Sequence, residues 1–266
     1  MSAAIKLSSP ATREFWEIPV LFEDAHLLAL DKPVGLAISP NPADPKRASL
    51  MALLHAGIAG GKPWATERGL SYLAQSHRLD PEAGGVLLLA KSKPVLAALT
   101  ALFGSEKPGR THLALVKGTP REDTFEVTAA IAADPLHAER MRLDAGTGKR
   151  ARTLFTVQER FQGHALIRCQ PLTDRPHQIR LHLRRAGLRV LGDSLYDGPD
   201  LLLSQLKPNY RLKPNRTERP LLGSAALHSE SIELAPPITG AALTLTAPPA
   251  KHFAVALKFL RLHAAA

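Results

Sequence analysis

Residues 76–92 read SHRLDPEAGGVLLLAKS, and the five apolar residues Val86–Ala90 within that stretch constrain the fold more than any others. A run this short cannot form a buried helix, and two glycines lead into it, so the pattern predicts a strand buried in the core. Just before it a tight turn holds His77, Arg78 and a single carboxylate, Asp80. Two readings of Asp80 stand at this point. It is either a catalytic carboxylate at the mouth of a sheet or part of an ordinary surface turn in which Arg78 and Asp80 pair.

The flanking patterns predict further short strands. Residues 18–22 and 26–30 form two of them around Glu23-Asp24-Ala25, and Lys32 falls in the Pro/Gly-rich loop that follows. Residues 48–56 predict a compact helix stopped by Gly57, and Pro94 opens a second helix that runs to Phe103. Strands are expected at 111–116, 124–131, 153–158, 165–170, 227–234 and 242–245. An amphipathic helix over 252–262 carries Phe253, Leu257 and Leu260 on one side. Residues 132–150 and 196–222 read as surface excursions, the second long and basic. Strands outnumber helices and their connections are short, so the expected class is α+β: a single catalytic domain with a mixed, largely antiparallel β-sheet flanked by helices and loops. The expected organisation is a loosely docked arm over 1–16 and one domain over 17–266, since no composition break divides the chain.

Composition narrows the function. The 266 residues are 45% hydrophobic, enough for a substantial core. The single cysteine, Cys169, excludes an internal disulfide framework and a cysteine-based zinc site. No run reaches the ~18–20 apolar residues that span a bilayer, and the first residues lack a signal-peptide pattern, so a cytoplasmic protein with no membrane partner is expected. The net charge of +10 points to a polyanion, with nucleic acid the natural candidate. Its arginines and lysines cluster at residues 140–152, 175–189 and 207–219, the last group including Lys213.

The stretch from Pro171 reads PLTDRPHQIRLHLRRAGLRVLGDSLYDG. Thr173 or Asp174 is expected to cap a helix with Pro176 in its first turn and Gly187 at its end. Ile179, Leu183 and Ala186 would share a core-facing side. His177, Arg180 and Arg184 would share another, offered to an anionic ligand or simply solvated. Arg175, just before the helix, is placed where a guanidinium reaches a carboxylate from another loop, and Asp80 is its natural partner. Tyr196 reads as packing.

Together these segments resemble the RluA-type pseudouridine synthases. HRLDPEAGG at 77–85 is similar to the family's aspartate motif, LLALDKPVGL at 27–36 to its early Lys-Pro motif, and SAALHSESIEL to its late Leu-His segment. TDRPHQIRLHL with LGDSLY resembles its Arg-x-His-Gln-Ile-Arg and Gly-Asp-x-x-Tyr motifs. The likeness covers roughly residues 17 to 260, and four motifs in order outweigh any one of them. The resemblance implies that Asp80 is the catalytic aspartate, Arg175 its ion-pair partner, and Arg78 a residue that contacts RNA or fills the space of the flipped nucleotide. His77, Lys32, His177, Arg180 and Arg184 join Arg78 as expected RNA contacts. The implied reaction isomerises uridine to pseudouridine in structured tRNA or rRNA, with neither metal nor other cofactor, by a monomer.

Three departures from the family pattern stand out. His112 stands where the family has a tyrosine, Ala83-Gly84 replaces a Thr-Ser pair, and Asp174 replaces a glycine. Histidine can stack and move a proton near neutral pH, so His112 is the expected third catalytic residue. The same substitutions motivate a second expectation, a catalytically weak paralogue that binds structured RNA. A glycosidase using Asp80 and Glu82 is disfavoured, because such enzymes need carboxylates facing each other across a sugar.

Overall fold

All seven residues of the strand at Gly84–Ala90 are buried, and the reason lies in what covers each face. The computed structural model describes residues 4–41, 44, 46–105, 108–212, 216–236 and 238–265, so Lys213 of the third basic group lies outside the described residues. Along the chain come β1 (Ile5–Ser9), β2 (Glu14–Ile18), β3 (Val20–Glu23), β4 (Leu27–Lys32), α1 (Leu50–Ala59), α2 (Pro63–Thr66), β5 (Ala74–Gln75), β6 (Gly84–Ala90) and α3 (Lys93–Gly104). Next are β7 (Gly109–Lys117), β8 (Thr124–Thr128), β9 (Ile131–Ala133), β10 (Met141–Leu143), β11 (Arg152–Phe161), β12 (His164–Pro171), α4 (Gln178–Arg185) and β13 (Arg189–Val190). The last elements are α5 (Leu203–Leu206), β14 (Leu227–Leu234), β15 (Leu243–Thr246) and α6 (Lys251–His263). They pack as two compact units. One holds the chain up to Arg110 together with Ser229–Pro248, the other Thr111–His228 and Pro249–Ala266.

In the first unit β4 pairs antiparallel with β3 on one side and β6 on the other, β5 also pairs with β6, and β14 neighbours β6 and pairs with β15. Successive side chains of a strand point to opposite faces. Leu87 and Leu89 therefore join Leu28 and Leu30 against Leu50 and Leu54 of α1. Val86, Leu88 and Ala90 join Leu27 and Ala29 against Val95, Leu99 and Phe103 of α3. Helices on both faces explain why this strand is continuously apolar where a half-exposed strand would alternate. Gly85 has φ +108°, and a Cβ there would stand 2.1 Å from the carbonyl oxygen of Ser229, so both conformation and space require glycine.

Several boundaries differ from expectation. The segment expected to be a loose arm forms the antiparallel hairpin β1–β2, with Ile5 and Leu7 buried in the same cluster as α1. Its alternation, buried at Ile5, Leu7 and Ser9 and exposed at Lys6 and Ser8, spans only five residues, short enough to be overlooked. Helix α1 passes through Gly57 to Ala59, because that glycine serves packing: a Cβ there would meet the Trp64 ring at 2.3 Å. Lys32 ends β4 and does not lie in a loop. Part of the excursion at 132–150 is the hairpin β9–β10.

In the second unit β7, β12, β11 and β8 lie side by side with antiparallel pairing, and β13 adds to β7. Helix α6 buries Phe253, Leu257 and Leu260, the three residues expected on its apolar side. The pairings β3–β4, β4–β6, β5–β6 and β14–β15 in the first unit and β7–β12, β12–β11, β11–β8 and β7–β13 in the second are antiparallel, and helices flank them, in agreement with the α+β class. Among the described residues no helix is long and apolar enough to cross a membrane.

Candidate active site

The turn that presents Asp80 is locked from three directions. Its own closure is the bond from the Ala83 amide to the Asp80 carbonyl, 3.0 Å. The Pro81 carbonyl accepts from the Gly35 amide at 2.8 Å, which ties the turn to the loop after β4. Gly84 packs so closely on that loop that a Cβ would meet Val34 at 2.9 Å. With this backbone held, the Asp80 carboxylate sits half-buried and the Arg78 side chain is exposed.

Lys32 is a further fastening. It is 1% exposed, and its ammonium donates to the carbonyls of Pro33 (2.9 Å), Leu36 (2.8 Å) and Pro81 (3.3 Å). Three acceptors use all three of its protons. Burial lowers its pKa from 10.5 to about 7, partly opposed by the charges of Glu82 and Asp80 and reinforced by that of Arg47. The expected RNA contact is therefore an internal clamp beside the aspartate turn, and the correction follows from its burial. Because the folded pKa lies below the unfolded one, the unfolded chain binds more protons between about pH 7 and pH 10.5, and stability rises with pH across that window. Below it the cost of the buried charge is fully present. Lys32→Met should flatten this rise, read as unfolding free energies in urea at about pH 6, 8 and 9.5; a parallel slope in the variant would show that Lys32 is not the titrating group.

His77 is also internal. Its Nε2 accepts from the Leu88 amide at 3.0 Å, and its ring lies 5.3 Å from that of Phe103, over which Arg110 also sits. Burial, aided by the Arg110 charge and opposed by a backbone hydrogen bond at Arg78, lowers its pKa to about 3. It is thus a neutral acceptor that pins the chain leading to Asp80 against β6, with no cation to offer RNA.

In the second unit the expected helix cap is displaced. His177 occupies the N-cap in the left-handed conformation (φ 55°), so α4 begins at Gln178, with Thr173, Asp174 and Pro176 all outside it. The amide of Gln178 does the organising. Its oxygen accepts from the Thr173 hydroxyl (2.8 Å) and the Arg175 backbone amide (3.1 Å), while its nitrogen donates to the Arg152 carbonyl (3.0 Å) and the Thr153 hydroxyl (2.9 Å). These bonds fix the loop bearing Arg175, whose Nε donates to the Arg150 carbonyl at 3.2 Å. Sequence reasoning passed over Gln178, although a glutamine amid arginines on a short amphipathic stretch was a signal for a buried hydrogen-bond hub.

Arg180 corrects a second expectation. It is 2% exposed, and its guanidinium makes two bonds to Asp193, Nε to Oδ2 at 2.7 Å and Nη2 to Oδ1 at 2.5 Å, while lying 4.9 Å from the centre of the Tyr196 ring. The Tyr196 hydroxyl meets His177 Nδ1 at 2.6 Å and accepts from the Met141 amide at 2.9 Å. Tyr196 does pack, as expected, and joins a polar network as well. Of the side chains offered to an anion only Arg184 is exposed, paired with Asp197 at 2.8 Å. Ile179 and Leu183 enter the core as expected; Ala186 is exposed at the helix end. His112 lies buried on β7, opposite Cys169 of β12. The Cys169 thiol is pushed far above its ordinary pKa by burial.

Comparison with known proteins gives this arrangement a family. A sequence profile described as RNA pseudouridylate synthase matches residues 26–185, a span that includes Lys32, Asp80, His112 and Arg175. The ribosomal large subunit pseudouridine synthase D of Nitrosomonas europaea is 33% identical over 92% of this chain and 65% of its own length. For the ribosomal large subunit pseudouridine synthase C of Salmonella typhi the identity is 30%, over 91% of this chain and 70% of the relative. The synthase D of Zymomonas mobilis is 33% identical over 72% of this chain and 60% of its own length, so the chain spans about two thirds of the curated relatives it matches. The solved structure of human RNA pseudouridylate synthase domain containing 4 shares the fold, with a TM-score of 0.65 at 22% identity over 91% of this chain and 92% of that one. Profile, relatives and fold agree that the chain belongs to the RNA pseudouridylate synthase family, in its RluA-type branch.

Proposed function

We propose that the protein isomerises uridine to pseudouridine in RNA, with Asp80 as the catalytic carboxylate. The observation that carries this reading is the seat of Asp80: a half-buried carboxylate on a turn fixed by Lys32, Gly35 and Gly84, within the span that matches the family profile. In the reaction the bond between ribose C1′ and uracil N1 breaks, C1′ bonds to uracil C5, the C5 proton leaves to solvent and the freed N1 takes up a proton. Positive charge builds on the sugar as the first bond breaks, and an ionised carboxylate stabilises or traps it. Arg175 is the proposed ion-pair partner of Asp80, and exposed Arg78 the proposed contact with the strand around the flipped base.

The names of the relatives favour ribosomal RNA as substrate, and tRNA is the second candidate. Action as a monomer in the cytoplasm goes with this reading. The test is release of tritium from RNA labelled at uracil C5, with ribosomal and transfer RNA in separate arms. Release from ribosomal RNA by the protein but not by Asp80→Asn is expected; equal release from both would overturn the assignment.

His112 favours the second reading, a weak paralogue that binds RNA, if it cannot do the work of a tyrosine. If it moves a proton in the pocket, His112→Tyr keeps turnover and His112→Ala lowers it by about 10²-fold or more, the scale of general acid–base contributions. Full activity in the alanine variant would remove His112 from the site.

A further inference from the structure

The hairpin β9–β10 and helix α4, both in the second unit, border a cavity of about 400 Å³, within the range of small-ligand sites. Four guanidinium-bearing residues line it: Arg140 and Arg142 from the hairpin, Arg184 and Arg185 from the end of α4. Their charges are unequally compensated. Arg142 pairs with Asp144 at 2.6 Å and Arg184 with Asp197 at 2.8 Å, both at the surface, where such pairs are weak and readily exchanged. Arg140 and Arg185 have no carboxylate partner among the described residues. The one acidic lining residue, Asp134, is occupied with the Leu136 amide at 2.9 Å and with His137.

The remaining wall is apolar. Met141, Leu143 and Leu181 supply it, and the hydroxyl of Tyr196, which also lines the cleft, is engaged by His177 and the Met141 backbone. A purely anionic ligand would have no use for that wall, and an apolar one none for the guanidinium groups. A nucleotide uses both, with its phosphate between Arg140 and Arg185 and its base on the aliphatic surface. Nothing on the wall reads a base edge, so such a site accepts any base.

We propose that this cleft holds one unpaired nucleotide of the RNA being modified, through its phosphate and one apolar face, without base preference. The proposal rests on the function given above and adds a binding site to it. It also gives one role to Arg140 and Arg142 and to Arg184 and Arg185, two pairs that are separate in sequence.

The experiment compares the full chain with Arg140→Gln/Arg185→Gln and with Lys93→Gln/Lys258→Gln, which removes two exposed charges from α3 and α6. On ribosomal RNA the arginine variant should raise KM about tenfold with kcat unchanged. It should also reduce the slope of log affinity against log salt by about 0.7, the value for one phosphate of a single strand. The lysine variant should match wild type. Equal KM and slope in all three proteins, or equal loss in both variants, would overturn the proposal while leaving the enzymatic reading intact. Should wild type form no pseudouridine in any RNA, the enzymatic reading fails, and filter binding of a short oligouridylate judges the cleft alone. Weaker binding by the arginine variant then supports it and unchanged binding overturns it. Equal competition by polyglutamate would mark a general anion surface and overturn it too.

Discussion

Asp80→Asn should bring pseudouridine formation down by about 10³-fold or more while leaving the fold in place. The magnitude follows from the role: removing a single preorganised stabiliser of developing charge costs ~10²–10³ in rate, and removing a nucleophile costs more. The fold survives because the turn is held by main-chain atoms, the Asp80 carbonyl, the Pro81 carbonyl and the Ala83 amide, which an asparagine retains. The half-buried side chain contributes little to the core, so a melting temperature within about 2 °C of wild type is expected, equivalent to less than about 1 kcal/mol. One further consequence separates this variant from a merely damaged protein. The Asp80 charge holds the Lys32 pKa up, so its loss should move that titration below about 7. Activity within tenfold of wild type would remove Asp80 from the chemistry.

The Arg180–Asp193 pair should dominate stability in the second unit. Both side chains are 2% exposed and joined by two bonds, so Arg180→Met or Asp193→Leu alone strands a buried charge. Breaking such a pair from one side costs ~3–5 kcal/mol, a fall of about 6–20 °C in melting temperature for a chain of this size. The double variant Arg180→Met/Asp193→Leu should melt above either single variant, since replacing both partners removes the stranded charge. Calorimetry of the four proteins checks this. Single variants that melt within about 2 °C of wild type would show that the pair is not a structural keystone. The Arg180 guanidinium also lies over the Tyr196 ring, and the single variants should lose activity in proportion to unfolding and recover it on cooling.

Much of this architecture is legible in local patterns. Val86–Ala90 reads as a buried strand because five apolar residues in a row admit no other buried element, and α6 reads from the spacing of Phe253, Leu257 and Leu260. Asp80 and Arg175 stand out because their motifs recur in a known order. The hairpin β1–β2 was harder to read: its apolar positions gain their meaning only from the cluster around α1 that covers them.

The polar residues divide on the same principle. Sequence alone determined which side chains are charged, where the basic groups cluster, and that an aspartate turn precedes a buried strand. Whether each charge faces RNA or the interior was decided only by the tertiary structure. Lys32 became a clamp because three carbonyls from two loops converge on it, His77 an acceptor because β6 offers it the Leu88 amide, and Arg180 a core residue because Asp193, thirteen positions away, meets it in a dry site. A charge is buried only where partners supply its hydrogen bonds, and those partners come from segments whose approach no local pattern encodes.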